Sequence, residues 1–477
     1  ASVTNMILIS GFATASGRVS GEKAACYERE RADDQNNAHR QYDQNRPVQK
    51  ARTRLDRGFD DVAAFLVHDR LQNELPEAST AGAAAPALPT PATPNPDFRF
   101  IDTSIENGSP LHWDVDPDGT IRLSFVYDHQ RNSPNRAAGH WHFRLEGRPG
   151  ARLTLVFQNF LNVWNGRVGL PVDARTACSI SEDGRTWRTV PMELVGERVK
   201  VTVEVPSSGS LFVARIQPYR LSDLRNLVAE IRPHPLVATE EIGRSGDGRP
   251  LEILRIGRAD APFRLFIRAR AHPWEPGGNW VLQGMIRALL SDSPESRRAL
   301  ATFSLHTLPI ANPDGVARGL TRFNVRGWDL NRKWDQPAPA DLAPENHALE
   351  AWLRRMAERG LTPHLGLDLH NDASGKLHVS RPDVPSLEGY LASMRRLEEL
   401  LRQHTWFTEG STGGSFRNPG TLGEGWLERF GVPAAILELN AHWIAGRSKA
   451  PVGADWEDFG RGLLPVFTDY FGRGKNP

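Results

Sequence analysis

Four short stretches place side chains able to do chemistry at the ends of apolar runs. "AHPWEPGGNW" follows "FRLFIRARA" and carries His272 and Glu275; "PHLGLDLHND" ends around His370; "PAAILELN" ends around Glu438. After "ATFSLHTLPIA" come Asn312-Pro-Asp-Gly315, then Arg322, then "GWDLNRKW" with Asn331 and Arg332. Neutral imidazole and carboxylate are the ligands of zinc, which takes them tetrahedrally and, in a catalytic site, keeps one position for water. A His and a Glu three apart on a tight turn can face one ion, and a His from a neighbouring strand end can close the triangle. His272, Glu275 and His370 suit that pattern, with His364, His378 and His306 competing for the third place. Alone, His-x-x-Glu is a weak signal that in most proteins is a solvated turn, and His370 alone reads as a hydrogen-bonded strand end. Four polar endings together argue for one site.

The elements that must position these residues follow from periodicity. From about residue 236, strand-like runs ("APFRLFIRARA", "ATFSLHTLPIA", "PHLGLDLH", "PAAILELN") alternate with helix-like ones ("NWVLQGMIRALL", "PENHALEAWLRRMAERG", "PSLEGYLASMRRLEELLRQ") whose apolar residues recur at three- and four-residue steps. That alternation predicts a sheet covered by helices, with ligands beyond the carboxyl ends of its strands. Between 98 and 235 the pattern changes to short alternating runs such as "IRLSFVYD", "RLTLVFQN" and "RVKVTVEVP", punctuated by turn residues, which predicts an antiparallel β-sandwich. Residues 1–97 read as a disordered or weakly helical segment ending in the Ala/Pro/Thr tract "EASTAGAAAPALPTPATPNPD", an extended linker.

Composition bounds the partners. The 477 residues suggest two or three domains, and 39% hydrophobic content is enough to build them. Fifty-eight basic against 57 acidic residues give a net charge of +1, so no global field attracts nucleic acid or an anionic membrane, and neither is expected as a partner. No run of about 18 apolar residues occurs, so a membrane span is not expected. Two cysteines, Cys26 and Cys178, make neither a disulfide framework nor a thiolate metal site and suit a reducing compartment. The opening "NMILISGFATASG" has only a faint signal-peptide character, without a basic n-region, so a cytoplasmic location is expected, with export the minority reading.

Taken in order and spacing, the set resembles the zinc metallocarboxypeptidases, whose archetype is a His₂Glu zinc enzyme. "ANPDGVARGLTRFNVRGWDLNRKW" is most similar to the cytosolic carboxypeptidase subfamily, and "HWHFRLEG" through "LFVARIQPYRLSDLRNL" resembles the β-sandwich that precedes its catalytic domain. The resemblance spans roughly 98–475. It implies an all-β sandwich at 98–235 and an α/β catalytic domain at 236–475, a mixed sheet flanked by helices. It further implies one Zn²⁺ on His272, Glu275 and His370, Glu438 as general base, and Arg322 polarising the scissile carbonyl, with Arg326 competing for that role. Asn331 and Arg332 would hold the terminal carboxylate of a peptide or protein substrate, which makes a hydrolase an exopeptidase.

Two departures stand out. No tyrosine lies between Tyr390 and Tyr470, so the family's substrate-capping tyrosine is missing, and by offset Glu409 takes its place as an ordinary loop carboxylate. By the same offset Ser415, Phe416 and Arg417 are expected at the specificity pocket, where an arginine would favour an acidic C-terminal residue, as in deglutamylation, and Phe416 an apolar one. Trp274 stands where the subfamily usually has glycine, which predicts a bulkier rim. The competing readings are a zinc amidase acting on a murein peptide or N-acyl amino acid, and a binding protein without activity. The first usually carries a Gly-Asn-Glu signature that is absent here; the second has no need of both His, both Glu and Arg322.

Overall fold

The computed structural model describes residues 95–472, so the expectation of a disordered or weakly helical segment with its linker falls almost wholly outside the described residues. Alternation sets the first layer. In Arg198–Glu204 every second residue is buried, and Arg152–Gln158 beside it follows the same rhythm, so Val199, Val201 and Val203 meet Leu153, Leu155 and Phe157 on one inner face. Two five-stranded sheets stack this way around Trp141, Phe143 and Phe157. One pair departs from the antiparallel expectation: Ile121–Phe125 runs parallel to Arg152–Gln158, a pairing made by segments distant in sequence that local alternation does not specify. A third, small sheet (Asp128–His129, Arg136–Ala137, Asn162–Trp164, Arg167–Gly169) projects from the sandwich.

Beyond residue 236 lies a seven-stranded mixed sheet flanked by helices, ordered Val237–Arg244, Pro250–Ile256, Phe303–Leu308, Phe263–Ala269, Leu365–Asp372, Ala434–Asn440 and Leu377–His378. The four central strands are parallel and are the four apolar runs of the sequence; the outer ones are antiparallel. Leu265, Ile267 and Ala269 face a core shared with helices Gly277–Leu289, Leu387–His404 and Gly453–Gly472, while Phe266 faces Trp352 and Trp426 on helices Pro344–Glu358 and Leu422–Phe430. Apolar residues on both faces are what a strand covered on both sides requires. Helices Gly277–Leu289 and Gly453–Gly472 touch through glycine: a Cβ at Gly284 would lie 2.1 Å from the Glu457 carbonyl oxygen, and one at Gly460 2.0 Å from that of Val281.

The sandwich packs directly on the mixed sheet's loops. Asn107 Nδ2 donates to the Val316 carbonyl (2.8 Å), Arg131 Nε to that of Arg326 (2.9 Å), and Asp128 Oδ2 accepts from the backbone N–H groups of Arg322 (2.7 Å) and Phe323 (2.8 Å). Among the described residues no helix is long and apolar enough to cross a membrane.

Candidate metal centre

The central strands deliver the chemistry by register. His370 pairs with Glu438 across neighbouring parallel strands, and Arg268 pairs with Asp368 one strand over. Past Ala269 the chain turns at Arg270, whose φ of 61° is left-handed and costly for a residue with a Cβ. The Arg270 guanidinium holds that turn, donating from Nε to the Pro273 carbonyl (2.7 Å) and from Nη1 to Asn279 Oδ1 (3.1 Å). The turn swings His272 and Glu275 back over the strand ends, and Gly277 N–H donates to Asn371 Oδ1 (2.9 Å) to fix the helix that follows.

His272 Nδ1 lies 2.8 Å from Glu275 Oε1, His370 Nδ1 lies 2.8 Å from Glu275 Oε2, and the two Nδ1 atoms face each other at 3.2 Å. All three side chains are buried. Two imidazole lone pairs aimed at one another repel unless a proton or a cation sits between them, and the edge of a zinc tetrahedron with ligands at about 2.05 Å is about 3.3 Å. The donor set therefore fits zinc in type, number and spacing. The far ring nitrogens are held by carboxylates: His272 Nε2 is 3.1 Å from Asp329 Oδ1, and His370 Nε2 is 2.8 Å from Asp368 Oδ2. Such carboxylate–imidazole pairs orient metal-binding histidines and raise their basicity. Arg268 in turn anchors Asp368, donating from Nε to Oδ1 at 2.8 Å with both residues fully buried.

Electrostatics agree. Burial would raise the Glu275 pKa, but His272 and His370 outweigh it and hold it near 2. For His370 burial opposes the charged ring, yet Asp368 and Glu275 together push it well above the ordinary value. The cluster carries negative potential that a cation neutralises.

A cavity of about 240 Å³ opens over this cluster, lined by Arg215, Trp274, Arg322, Asn331, Arg332, His378, Asn418, Ile436 and Glu438 among others. Glu438 is raised well above the usual carboxylate range, first by burial and then by the neighbouring carboxylates, and its Oε2 has no hydrogen-bond partner. Arg322 donates from Nε to Asp329 Oδ2 (2.8 Å), so one carboxylate bridges this arginine and His272. Arg332 donates to the Asn331 carbonyl (2.8 Å), and Asn331 Nδ2 is 3.1 Å from His370 Nε2. Trp164, at the end of a short strand of the projecting sheet, lies under both guanidiniums: Arg322 is 4.3 Å and Arg332 5.2 Å from its ring centroid. Arg326 turns away to the Gly246 carbonyl.

His364 and His306 lie apart from the cluster, the first accepting from Arg264 N–H (3.1 Å) and the second packing on Trp352. His378 lines the cavity, 4.0 Å from Glu438 Oε1, and with Asp372 and Glu438 forms a second, half-buried group of close donors. Ser415 and Arg417 are exposed and do not line the cavity, and Arg417 is tied to Glu424 by an ion pair that also reaches Glu428. Phe416 is also absent from the lining and reaches it only by packing on the His378 ring, 5.0 Å between centroids. The loop turns there so that Asn418, not its predecessors, faces the cavity. Glu409 accepts from Asn440 Nδ2 (2.9 Å) and does not face the cavity either.

Sequence reasoning missed the supports. Asp368 stands two residues before His370 on one strand face, a signal that period two carries. Asp329 reads locally as a cap. Trp164 and Arg215 come from the sandwich, and nothing in their surroundings marks them.

Comparison with known proteins agrees with this geometry. The family model described as zinc carboxypeptidase matches residues 225–354, a span that holds His272, Glu275, Arg322, Asn331 and Arg332. An uncharacterised protein of Zymomonas mobilis, ZMO1242, is 29% identical over 226 residues, covering 47% of this chain and 56% of its own length. Human cytosolic carboxypeptidase 4 is 33% identical over 144 residues, 30% of this chain and 12% of that protein. The chain thus spans about half of the first relative and about a tenth of the second. In fold, a Burkholderia cenocepacia metallo-carboxypeptidase matches 78% of this chain and 98% of its own with TM-score 0.66 at 22% identity, and one from Pseudomonas aeruginosa matches 78% and 98% with TM-score 0.64 at 23%. The buried His₂Glu donor set at the carboxyl ends of the central strands thus stands in a chain that the zinc carboxypeptidase family model matches over residues 225–354.

Proposed function

We propose that the protein is a zinc-dependent metallocarboxypeptidase that removes the C-terminal amino acid of a peptide or protein. The observation that carries this reading is the convergence on one cavity of the His272, Glu275 and His370 donors, the unpartnered Glu438 carboxylate and the Arg322 and Arg332 guanidiniums. A zinc ion on the three donors supplies Lewis acidity toward water and the scissile carbonyl.

The chain's own groups do the rest. Glu438 removes a proton from the attacking water and returns it to the leaving amine; a buried carboxyl with a raised pKa is suited to holding that proton between the two transfers. Arg322, fixed by Asp329 and Trp164, faces the oxygen on which negative charge develops. Arg332 takes the terminal carboxylate, its fork suited to two parallel bonds. Asn331 shares that task and steadies His370. Burial depresses the Arg332 pKa, a sign that its charge is poorly solvated and open to an anion.

The test is a C-terminal peptide library together with metal analysis. Wild type and Glu438→Gln should both hold one zinc per chain, and only wild type should release C-terminal amino acids. Release from internal or non-peptide amides alone would overturn the exopeptidase reading and leave the amidase.

A further inference from the structure

Arg215 follows the last strand of the sandwich, Ser210–Ala214, and lines the cavity beside residues of the mixed sheet and its loops. It is 5% exposed. Among the described residues no carboxylate oxygen lies within 4.0 Å of its guanidinium. A buried cation without an anion is costly, and burial drags its pKa down to about 9.

Its partners are all neutral. Nη1 donates to the Gly139 carbonyl (2.7 Å), Nη2 donates to the Pro171 carbonyl and lies 3.1 Å from His442 Nε2, and Nε is buried with no partner. One face of the guanidinium stacks on Trp274, 4.2 Å from the ring centroid, and Trp274 stands between His272 and Glu275 in the chain. Carbonyls and an indole fix the group beside the metal ligands without neutralising it. The other buried arginines differ: Arg268 is paired with Asp368, and Arg270 is spent inside its own turn and does not line the cavity. The nearby carboxylates are engaged, Glu275 by the two histidines and Asp173 by His442 Nδ1 at 2.9 Å.

We infer that Arg215 is a specificity-determining residue that binds a second carboxylate of the substrate, additional to the terminal carboxylate assigned to Arg332. The anion belongs either to the side chain of the C-terminal residue or to that of the residue before it. This assignment replaces Arg417, which is already paired, and gives the sandwich a direct part in choosing substrate. It rests on the carboxypeptidase reading.

Four peptides, with glutamate or alanine at the last and at the next-to-last position, test it on wild type, Arg215→Gln and Arg215→Lys. Wild type should favour glutamate at one of the two positions, and that position identifies the source of the carboxylate. Arg215→Gln should lower the acidic-over-neutral ratio of kcat/KM there by roughly 10- to 100-fold, the factor carried by one charge-assisted contact. Arg215→Lys should restore part of the ratio, since the charge remains but the stacked fork is lost. An equal fall on all four peptides, leaving the ratio intact, would show a structural role and overturn the inference. Should Arg215→Gln not fold, calorimetry on the full wild-type chain and on Arg215→Lys decides. Glutarate should bind wild type at least about tenfold tighter than butyrate, with the difference reduced in Arg215→Lys, and equal affinities overturn the inference. If no peptide is cleaved yet glutarate is still preferred, the carboxypeptidase reading fails and the anion site stands. If peptides are cleaved with no acidic preference, the converse holds.

Discussion

Replacing Asp329 with asparagine keeps the shape of the side chain and removes one acceptor. In the native protein Oδ1 faces His272 Nε2 (3.1 Å) and accepts the Asn331 backbone N–H (2.9 Å), while Oδ2 accepts from Arg322 Nε (2.8 Å). An amide has one acceptor oxygen and an NH₂ group, so one of these sides must set donor against donor in a buried place. Losing the outer carboxylate of a metal-bound histidine typically weakens metal binding 10- to 100-fold, about 1.4–2.7 kcal/mol. Losing its hold on Arg322 takes away a partner from a guanidinium whose side chain is 21% exposed and still rests on Trp164, so that part should cost roughly 1–3 kcal/mol. Competition with a chromogenic chelator measures the first loss. Peptide turnover at saturating zinc isolates the second, expected as a fall of about tenfold or more in kcat. Unchanged zinc affinity together with unchanged kcat at saturating zinc would refute the view that this carboxylate ties the arginine to the metal ligand.

Three further outcomes are expected. His370→Ala should lose zinc and His364→Ala should retain it, by metal analysis after dialysis; the reverse pattern would show a different third ligand. Trp164→Leu should raise KM by about 3- to 30-fold at unchanged zinc content, since one indole supports both guanidiniums at about 0.5–2 kcal/mol; an unchanged KM counts against that support. Burial lowers the pKa of His140 and of His142 to about 3. The unfolded chain takes up protons near pH 6.5 and the folded one does not, so stability present above that pH should fall as pH drops from about 6.5 toward 3. His142→Phe should flatten the urea midpoint across this window; a slope equal to wild type's would refute the assignment.

Much of the fold was legible because apolar runs and periods are local. The four central strands and three of their helices could be read directly, and so could the polar ends that carry His272, Glu275, His370 and Glu438. The hairpin Val237–Arg244 and Pro250–Ile256 was not, since Glu240, Glu241 and Glu252 interrupt its apolar pattern. Helix Gly453–Gly472 hid behind Gly460, Gly462 and Pro465, two of them features of its close packing and one a residue that usually ends helices. At the site, local sequence showed the candidate ligands but not what holds them. Trp164 acts on Arg322 through a contact that depends on how the sandwich docks, which no spacing rule encodes, while Asp329 reaches the same arginine within one loop. For the specificity loop, counting from Gly413-Gly414 presumes one backbone path, and the path taken leaves Ser415 and Arg417 exposed.

The Arg215 stack on Trp274 separates two tasks by chain segment. The groups proposed to break the bond lie on the mixed sheet and its loops, whereas this cation directly follows a sandwich strand that holds none of them. On the proposed assignment, a substitution at residue 215 would change what enters more than how it is cut. If Arg215 plays the inferred part, selectivity and turnover are set by separate segments, and a designer could alter one while leaving the other alone.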